Sequence, residues 1–408
     1  MIVVLESLKT VVNEFEPLLI DIRRYLHQYP ELSGQEINTA NYIHARLQEA
    51  GIEAEIINTE AGPAVIGYIH SEKNQETIVF RADMDALPVT DKKTKSYASK
   101  VKGVMHACGH DFHTTVVLGT ALTLAKLKNE LNVNLKFIFQ PSEEVSNSGA
   151  DALTRMGVMD DVDAIFTIHA LPTLQTGKIG IKYGMVAAAV DFFKLTVKGR
   201  SGHSARPNEA IDAIFVASHI LNCLYSDIAR QFNPVDPFVI SVGKIQGGTA
   251  SNIIAETCEI EGTVRTFEPD MRDKILDLIK ERSIHHARAY GASVEFENYN
   301  GNPPVINDVT LARLTEDSAS GIIGAENIER ISKPSLGADD FASYLSYAPG
   351  MLIRVGTGGE GASYPLHSTM FDIDERAIAI TVKILSSVAI NFSKSKNYLQ
   401  NWAQNTVV

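Results

Sequence analysis

The chain has 408 residues, of which 45% are hydrophobic, a length at which two hydrophobic cores are expected rather than one. Its 37 lysines and arginines stand against 49 aspartates and glutamates, and the net charge of −12 argues against a nucleic-acid-binding surface and favours a soluble cytoplasmic protein. Three cysteines, an N-terminus without a signal-peptide pattern, and no run near the roughly 20 apolar residues of a membrane helix argue against disulfides, export and a membrane partner.

The first part of the sequence predicts helices followed by strands. Apolar residues recur at helical spacing in two segments, and short β-branched runs come after them. The predicted elements are helices Leu5–Tyr29 and Glu36–Ala50 and strands Ala64–Ile69 and Thr77–Ala82. The second strand leads directly into Asp83 and Asp85, and open α/β sheets place binding residues at such strand ends. Taken alone, the two aspartates are explained equally well as turn caps.

Metal-binding side-chain types are concentrated in the segment Gly103–His113. Imidazole, thiolate and carboxylate groups bind borderline-soft divalent metals such as zinc, and five of them occur here within eight residues: His106, Cys108, His110, Asp111 and His113. Any one of them alone would be typical of a surface turn, but the cluster favours a metal site. A predicted helix, Thr114–Lys128, follows, so Cys108 and His110 are expected in the loop before its N-terminus, a place that favours a thiolate.

Two further predicted strands end in similar chemistry. The strand Val133–Phe139 runs into Glu143 and Glu144. Adjacent side chains on extended backbone point in opposite directions, so we expect one glutamate to hold a metal and the other to handle a proton. A strand over Asp163–Ile168 ends at His169. A lone histidine here would be typical of a structural residue. Because several predicted strands end in metal-binding or acid–base side chains, however, the pattern favours a functional site.

The pattern changes between about residues 188 and 300. Strands and helices follow in a β–α–β–β–α–β order typical of a small ferredoxin-like α+β sandwich, with elements predicted at Phe192–Lys198, Glu209–Ser226, Phe238–Lys244, Thr257–Thr266, Met271–Ala289 and Ser293–Glu297. Candidate metal ligands lie on both sides of this region, because His367 follows a later predicted strand, Met351–Val355. We therefore predict an α/β catalytic domain in two parts, 1–187 and 301–408, with an inserted domain at 188–300.

The predicted insert carries three polar candidates of its own. His203 lies in a glycine-rich turn, Asn252 in a flexible polar loop, and Arg265 late in a strand. Each is explained separately as a turn histidine, a capping asparagine or a solvated arginine. Together they supply hydrogen-bond donors that suit a carboxylate and an oxyanion.

With these residues in view, the chain resembles the binuclear metal-dependent amidohydrolases, which include N-acyl-amino-acid deacylases, hippurate hydrolases and auxin-amino-acid conjugate hydrolases and are relatives of aminoacylase and carboxypeptidase G. The resemblance covers almost the whole chain. It rests on Arg81-Ala-Asp-Met-Asp-Ala-Leu-Pro, His106-Ala-Cys-Gly-His-Asp, Gln140-Pro-Ser-Glu-Glu and Gly202-His-Ser-Ala, which occur in the family's order and spacing. It implies a zinc-peptidase-like catalytic domain with a mixed central sheet, and an inserted lid or dimerisation domain.

The resemblance also implies roles for individual residues. It implies two divalent metal ions, which are zinc, manganese, nickel or cobalt. Their expected ligands are Cys108, His110, Glu144, His169 and His367, with the Cys108 thiolate bridging the two ions. Glu143 matches the general base, and Asp85 matches a carboxylate behind the ligands. Asp83 stands where the wider superfamily often has a histidine ligand, so it is left out of the ligand set.

The roles implied for the insert concern the substrate. His203 matches a donor to the oxyanion that acts across a dimer interface, and Asn252 and Arg265 resemble residues that hold the substrate carboxylate. The implied reaction is hydrolysis of the amide bond of an N-acyl amino acid by a metal-activated water, in a homodimer or higher oligomer. The alternatives are an aminopeptidase or dipeptidase acting on small peptides, and a metal-binding scaffold without activity.

Overall fold

A computed structural model of the chain describes residues 2–72 and 76–394. These residues form two compact units. The first contains the described residues of 1–186, 306–333 and 340–408, and the second contains 187–305 and 334–339. The assignment of the second unit as a lid and dimerisation domain, with the predicted bounds 188–300, stays a prediction.

The described residues contain nine α-helices, which we label in chain order: α1 Ile2–Gln28, α2 Ile37–Glu49, α3 His110–Lys126, α4 Gly149–Arg155, α5 Ala213–Ser226, α6 Pro269–Ala289, α7 Val309–Ile323, α8 Phe341–Tyr344 and α9 Arg376–Lys394. They also contain sixteen strands: β1 Glu53–Thr59, β2 Gly62–Ile69, β3 Thr77–Asp83, β4 Asn134–Gln140, β5 Ala164–Gln175, β6 Ile179–Ile181, β7 Gly184–Ala187, β8 Ala189–Lys198, β9 Gly202–His203, β10 Phe238–Gly247, β11 Ile253–Ile254, β12 Thr257–Thr266, β13 Ser293–Asn300, β14 Val305–Asn307, β15 Ile328–Arg330 and β16 Gly350–Gly358.

The first unit is built on a mixed eight-stranded sheet, ordered β1-β2-β4-β3-β5-β16-β6-β15. Its central strands β4, β3, β5 and β16 are parallel to one another, and β1, β2 and β6 each form an antiparallel pair. Strand β3 is buried along its whole length, as expected for a parallel strand covered on both faces. The predicted α/β class with a mixed central sheet is therefore confirmed.

Helix α3 lies at the centre of the helical layer in this unit. Helices α1 and α9 both pack against it, and every residue from His110 to Leu124 is buried. A Cβ atom at Gly119 would come within 2.8 Å of Leu19 and 2.9 Å of Val382, so only glycine permits this close approach of the three helices. Helix α3 is thereby held close to α1 and α9.

The prediction that His110 lies in a loop before the helix is wrong by a few residues. Helix α3 begins at His110, directly after Gly109, whose φ of 91° is a left-handed conformation that glycine adopts without penalty. The predicted loop is therefore shorter, and His110 and His113 both lie in the first turn of α3. Only Cys108 remains in the loop.

Helix α1 is tied to the first unit through a buried arginine. Arg23 is fully buried, and it donates from Nε to Asp111 Oδ2 at 2.9 Å and from Nη2 to Asp372 Oδ1 at 2.8 Å. The same oxygen of Asp111 lies 2.7 Å from His27 Nδ1. Since Asp111 directly follows His110, this ion-pair network also fixes the start of α3.

The second unit has an antiparallel four-stranded sheet, ordered β10-β12-β8-β13, with α5 and α6 packed on it. The β8–α5–β10–β12–α6–β13 order is the order that the sequence predicts. Apolar residues of both helices and of the sheet form a separate core that includes Leu195, Ile220, Ile260 and Ile279.

One helix in the described part of the chain, α9, has the length and apolar composition to cross a membrane. The most apolar stretch of α9 is 72% buried inside the protein, and α9 packs on α1, α3 and α7. Its apolar character is accounted for by the core.

Replacing Arg23 with alanine is expected to lower the free energy of unfolding by about 3–5 kcal/mol, because two buried carboxylates would lose their charged partner. Denaturant unfolding of the metal-loaded protein measures this loss. Lys9→Ala is the matched control on the same helix, since Lys9 forms an exposed ion pair with Glu6, and we expect a change of about 0.5 kcal/mol or less. Equal effects of the two substitutions would contradict a structural role for the Arg23 network.

Candidate active site and metal centre

The register of the central sheet brings the predicted strand-end residues to one edge. Asp83 at the end of β3 is paired with Gln140 at the end of β4, and Arg81 is paired with Thr167 on β5. His169, two residues beyond Thr167, thus reaches the level of Asp83. Strand β5 continues to Gln175, so His169 lies inside the strand and not at its end as predicted.

The structure brings the five candidate ligands together. Ligand atoms of Cys108, Glu144 and His367 all lie within 4.8 Å of one another, and so do those of His110, Glu143 and Glu144. The sulfur of Cys108 is 3.8 Å from His169 Nε2. Side chains from α3, β5 and three loops therefore converge on one small volume within the first unit.

The histidines present the nitrogen that a metal would need. His110 Nδ1 donates to the backbone carbonyl of Asp85 at 2.8 Å and lies 3.2 Å from its Oδ1. His169 Nδ1 donates to the carbonyl of Ala170 at 2.9 Å. In the neutral form of either ring, a proton on Nδ1 leaves Nε2 with its lone pair, which is the usual arrangement of a metal-bound histidine.

Two buried polar atoms at this place make no hydrogen bond. His110 Nε2 has no hydrogen-bond partner among the residues that the structure describes, and Glu144 Oε1 has an ion-pair contact with His367 Nε2 at 3.3 Å in place of one. Buried polar atoms are rarely left unsatisfied, and a soft-to-borderline thiolate, imidazole and carboxylate set is typical of zinc and its neighbours. The residues present therefore fit divalent metal ions.

Burial opposes ionisation of the bridging candidate. It raises the pKa of the Cys108 thiol well above its ordinary value, and nearby Glu144 and Glu143 add to this effect against the pull of His110. The thiolate expected from the position before α3 is thus not favoured by the protein alone, since desolvation outweighs the helix terminus. Cation binding would favour the ionised thiol, which couples metal affinity to pH.

The loop after β4 directs both glutamates to the same ring. Glu143 Oε2 and Glu144 Oε1 each lie 3.9 Å from His110 Nε2. The prediction of opposite directions assumed extended backbone and is wrong, because Ser142 has a left-handed φ of 54°. His367 also has a positive φ, 65°, and its Nε2 lies 3.3 Å from Glu144 Oε1.

Asp83 and His113 form a second buried pair beside the candidate ligands. His113 Nδ1 lies 2.7 Å from Asp83 Oδ1, and His113 Nε2 accepts from the Ala170 amide at 2.9 Å. Both ring nitrogens are thus engaged by the protein. Although burial opposes it, neighbouring His110, His113 and Arg81 hold the pKa of Asp83 well below its ordinary value. Asp83 and His113 consequently orient the backbone around His169.

Sequence reasoning missed Asp340. Its carboxylate accepts from Arg81 Nη2 at 2.6 Å, from Gln140 Nε2 at 2.6 Å and from Ser148 Oγ at 2.7 Å, all within the first unit. These hydrogen bonds connect the ends of β3 and β4, next to the loop that carries Glu143 and Glu144. The adjacent carboxylates Asp339 and Asp340 were a weak signal, and the distance of Asp340 from Arg81 in the sequence concealed the contact.

His106 belongs to the predicted metal cluster but not to the convergent set. It is buried, neither ring nitrogen has a hydrogen-bond partner in the described part of the chain, and burial lowers its pKa to about 4. The ring is therefore neutral at neutral pH and packs 6.5 Å from the His27 ring.

The second unit holds the remaining candidates. His203 is exposed on β9, and its Nδ1 accepts from the Ala205 amide at 3.1 Å, which leaves Nε2 as the donor in the neutral ring. The Asn252 carbonyl accepts from the Ser204 amide at 3.2 Å, so Asn252 is a neighbour of His203. Arg265 lies on β12 and donates to the Leu336 carbonyl at 2.7 Å.

Replacing Cys108 with serine is expected to reduce the bound metal of the purified protein strongly, because one thiolate is expected to contact both ions. Metal analysis after dialysis measures this loss. Cys258→Ser is the matched control, since Cys258 is a buried free cysteine of the second unit and lies in none of the candidate metal-ligand clusters of the described residues, so its metal content should equal that of the wild type. Full metal occupancy in the Cys108 variant would exclude it as a ligand.

Comparison with known proteins agrees with this geometry. The chain is 38% identical over 397 residues to thermostable carboxypeptidase 1 of Saccharolobus solfataricus, covering 95% of this chain and 98% of that protein. It is 37% identical over 377 residues to the N-acetylcysteine deacetylase of Bacillus subtilis, covering 92% and 97%.

A solved structure supports the same relationship. The YXEP protein of Bacillus subtilis, described as a dinuclear metal binding peptidase from the M20 family, superposes with a TM-score of 0.82 at 35% identity over 94% of this chain and 99% of that one. The model of peptidase family M20/M25/M40 matches residues 79–391, which include all the candidate metal ligands. The chain therefore belongs to peptidase family M20/M25/M40.

Proposed function

We propose that this protein is a metal-dependent amidohydrolase that cleaves the amide bond of N-acyl amino acids or related small conjugates. The observation that carries the proposal is the convergence of Glu143 with the five candidate ligands at one edge of the sheet. The deacetylase relative supports an acylated amino acid as the substrate. A soluble, cytoplasmic location is part of the same proposal.

The proposed metal centre uses Cys108, His110, Glu144, His169 and His367. Bound there, two divalent cations would polarise the scissile carbonyl and lower the pKa of a water molecule toward neutrality. Asp85 acts behind this set, since its carboxylate orients His110 and accepts from the Glu144 amide at 3.0 Å. The identity of the metal, among zinc, manganese, nickel and cobalt, is set by availability as well as by these donors.

Glu143 is the proposed general base. It takes a proton from the attacking water as the new carbon–oxygen bond forms, and it returns that proton to the nitrogen as the carbon–nitrogen bond breaks. Its side chain lies beside His110 without being assigned to a metal, and it is only slightly exposed, at 12%. A largely buried carboxylate of this kind is suited to accepting one proton and passing it on.

The second unit supplies the proposed substrate contacts. His203 donates from Nε2 to the oxyanion of the tetrahedral intermediate, and Asn252 and Arg265 hold the carboxylate of the amino acid. The hydrogen bond from the Ala205 amide to His203 Nδ1 supports this role, because it places the proton of the neutral ring on Nε2, which can then donate. We further propose a homodimer in which His203 serves the site of the partner chain.

Hydrolysis of small peptides is the second candidate, because one relative is named as a carboxypeptidase. Acetyl-, benzoyl- and longer acyl-amino acids should be assayed beside a dipeptide with a free N-terminus, each with added Zn²⁺, Mn²⁺, Co²⁺ or Ni²⁺. Turnover of the acylated substrates with none of the dipeptide supports the amidohydrolase. The reverse result would establish the peptidase, and no turnover with full metal occupancy would indicate a silent scaffold.

Replacing Glu143 with glutamine is expected to lower kcat on the best of these substrates about 10²–10⁴-fold, because the amide cannot take a proton from water. The metal content should stay at the wild-type level. Glu144→Gln is the matched control, since the loss of a ligand should reduce both activity and metal content. Wild-type turnover in the Glu143 variant would remove Glu143 from the role of base.

Replacing His203 with alanine is expected to lower kcat about 10²–10³-fold, the usual cost of losing one donor to an oxyanion. Metal content and the thermal unfolding midpoint should not change, because His203 is exposed and lies outside the first unit. Steady-state kinetics and metal analysis on the same preparation measure both quantities. A variant as active as the wild type would leave His203 as a turn residue only.

A further inference from the structure

The turn that carries the two glutamates has a backbone conformation that its sequence does not favour. Only two non-glycine residues in the described ranges have a positive φ, and Ser142 is one of them, with φ 54°. A side chain with a Cβ rarely adopts this left-handed region unless the surroundings require it. Some contact must therefore hold Ser142, and Glu143 and Glu144 follow directly from it.

That contact is made by Glu36, a residue that the proposed mechanism does not use. Glu36 is fully buried at the start of α2, and its Oε1 accepts from the Ser142 amide at 2.9 Å. The Ser142 hydroxyl donates to the Ala61 carbonyl at 2.6 Å, which secures the other side of the residue. The pocket is closely fitted, because a Cβ on Gly62 would lie 3.0 Å from Glu36 Oε2.

The amides on both sides of Glu143 are thus held by carboxyl groups. Ser142 N–H donates to Glu36 and Glu144 N–H donates to Asp85 Oδ2 at 3.0 Å. Asp85 is itself held by Ser33 Oγ at 2.7 Å. Because these two bonds flank a single residue, they restrict the rotation that would carry the Glu143 side chain away from His110.

The environment of Glu36 favours its neutral form. Burial, followed by the charge of Asp85, raises the pKa of Glu36 to about 8. Its Oε2 has no hydrogen-bond partner among the described residues, so a proton or an amide group there breaks no existing bond. Glutamine, which keeps the carbonyl oxygen and the shape, is therefore a close match for the native side chain.

We propose that Glu36 is a positioning residue that holds the Ser142 turn through the Ser142 amide and thereby sets the places of Glu143 and the metal ligand Glu144. This inference deepens the proposed function and rests on it for the effect on turnover. Its effect on metal binding is independent of the substrate, because Glu144 belongs to the candidate ligand set whatever reaction the site performs.

The first test is metal affinity, measured by titrating the metal-free protein with Zn²⁺ against a chelator. Glu36→Ala should weaken Zn²⁺ binding about 10–100-fold, the usual cost of losing a residue that orients a ligand. Glu36→Gln should bind as the wild type does. Glu36→Asp keeps the carboxyl group but withdraws its oxygen by one methylene, so it should be weakened like the alanine variant. It replaces the alanine variant in this test if that variant does not fold.

The second test is turnover at saturating metal. Glu36→Ala and Glu36→Asp should lose about 10²-fold in kcat, because small displacements of a catalytic group have effects of this size, while KM stays near the wild-type value. Glu36→Gln should restore kcat. A purely structural role would lower stability without this split between kcat and KM.

Glu31→Ala is the matched control. Glu31 lies on the same segment and its carboxylate accepts from the Thr39 amide at 2.8 Å at the start of α2, without a bond to the Ser142 turn. It should lower stability while leaving Zn²⁺ affinity and kcat unchanged. The proposal is overturned if Glu36→Ala or Glu36→Asp keeps wild-type affinity, or if Glu36→Gln fails as they do. If the wild type hydrolyses no acyl-amino acid, the proposed function fails, and the Zn²⁺ titration still decides the role of Glu36.

Discussion

The carboxylate of Asp85 is the contact on which the geometry of the site depends. It lies beside His110 Nδ1, accepts from the Glu144 amide and accepts from the Ser33 hydroxyl, and it is almost fully buried. Three separate chain segments therefore meet at one charged group. Hydrogen bonds to a buried anion are stronger than those between neutral groups, so this carboxylate fixes both a candidate ligand and the loop that carries the proposed base.

The site also explains why so many charged groups are tolerated in the interior. Asp83, Asp85 and Asp111 are all buried in the first unit, and each has a cationic or hydrogen-bonding partner. Glu144 Oε1 lies 3.3 Å from His367 Nε2 and 3.9 Å from His110 Nε2, and burial makes the nearby Cys108 thiol resist ionisation. Divalent cations bound beside these groups would add positive charge and favour the ionised thiol, so the metal is expected to stabilise the fold as well as to serve the reaction.

Some elements could be predicted from the sequence and others could not. Strand β3 and helix α2 were predicted to within a residue of their observed bounds, because continuous apolar runs and helical spacing are local signals. Helix α9 was not predicted, although its less buried residues Arg376, Lys383 and Asn391 recur at helical spacing. Strand β1 was missed because its alternate residues are exposed and include two glutamates, which weaken the strand pattern.

The sequence alone determined which side chains are candidates for the site, since thiol, imidazole and carboxylate groups occur in motifs whose order and spacing are specific. The tertiary structure decided how they are used: which nitrogen of His110 faces the other ligands, why Glu143 and Glu144 reach the same ring, and that Glu36 and Asp340 support them. These contacts join residues that are 25 to 200 positions apart. Such pairings depend on sheet register and on a left-handed turn at a serine, and neither leaves a local pattern in the sequence.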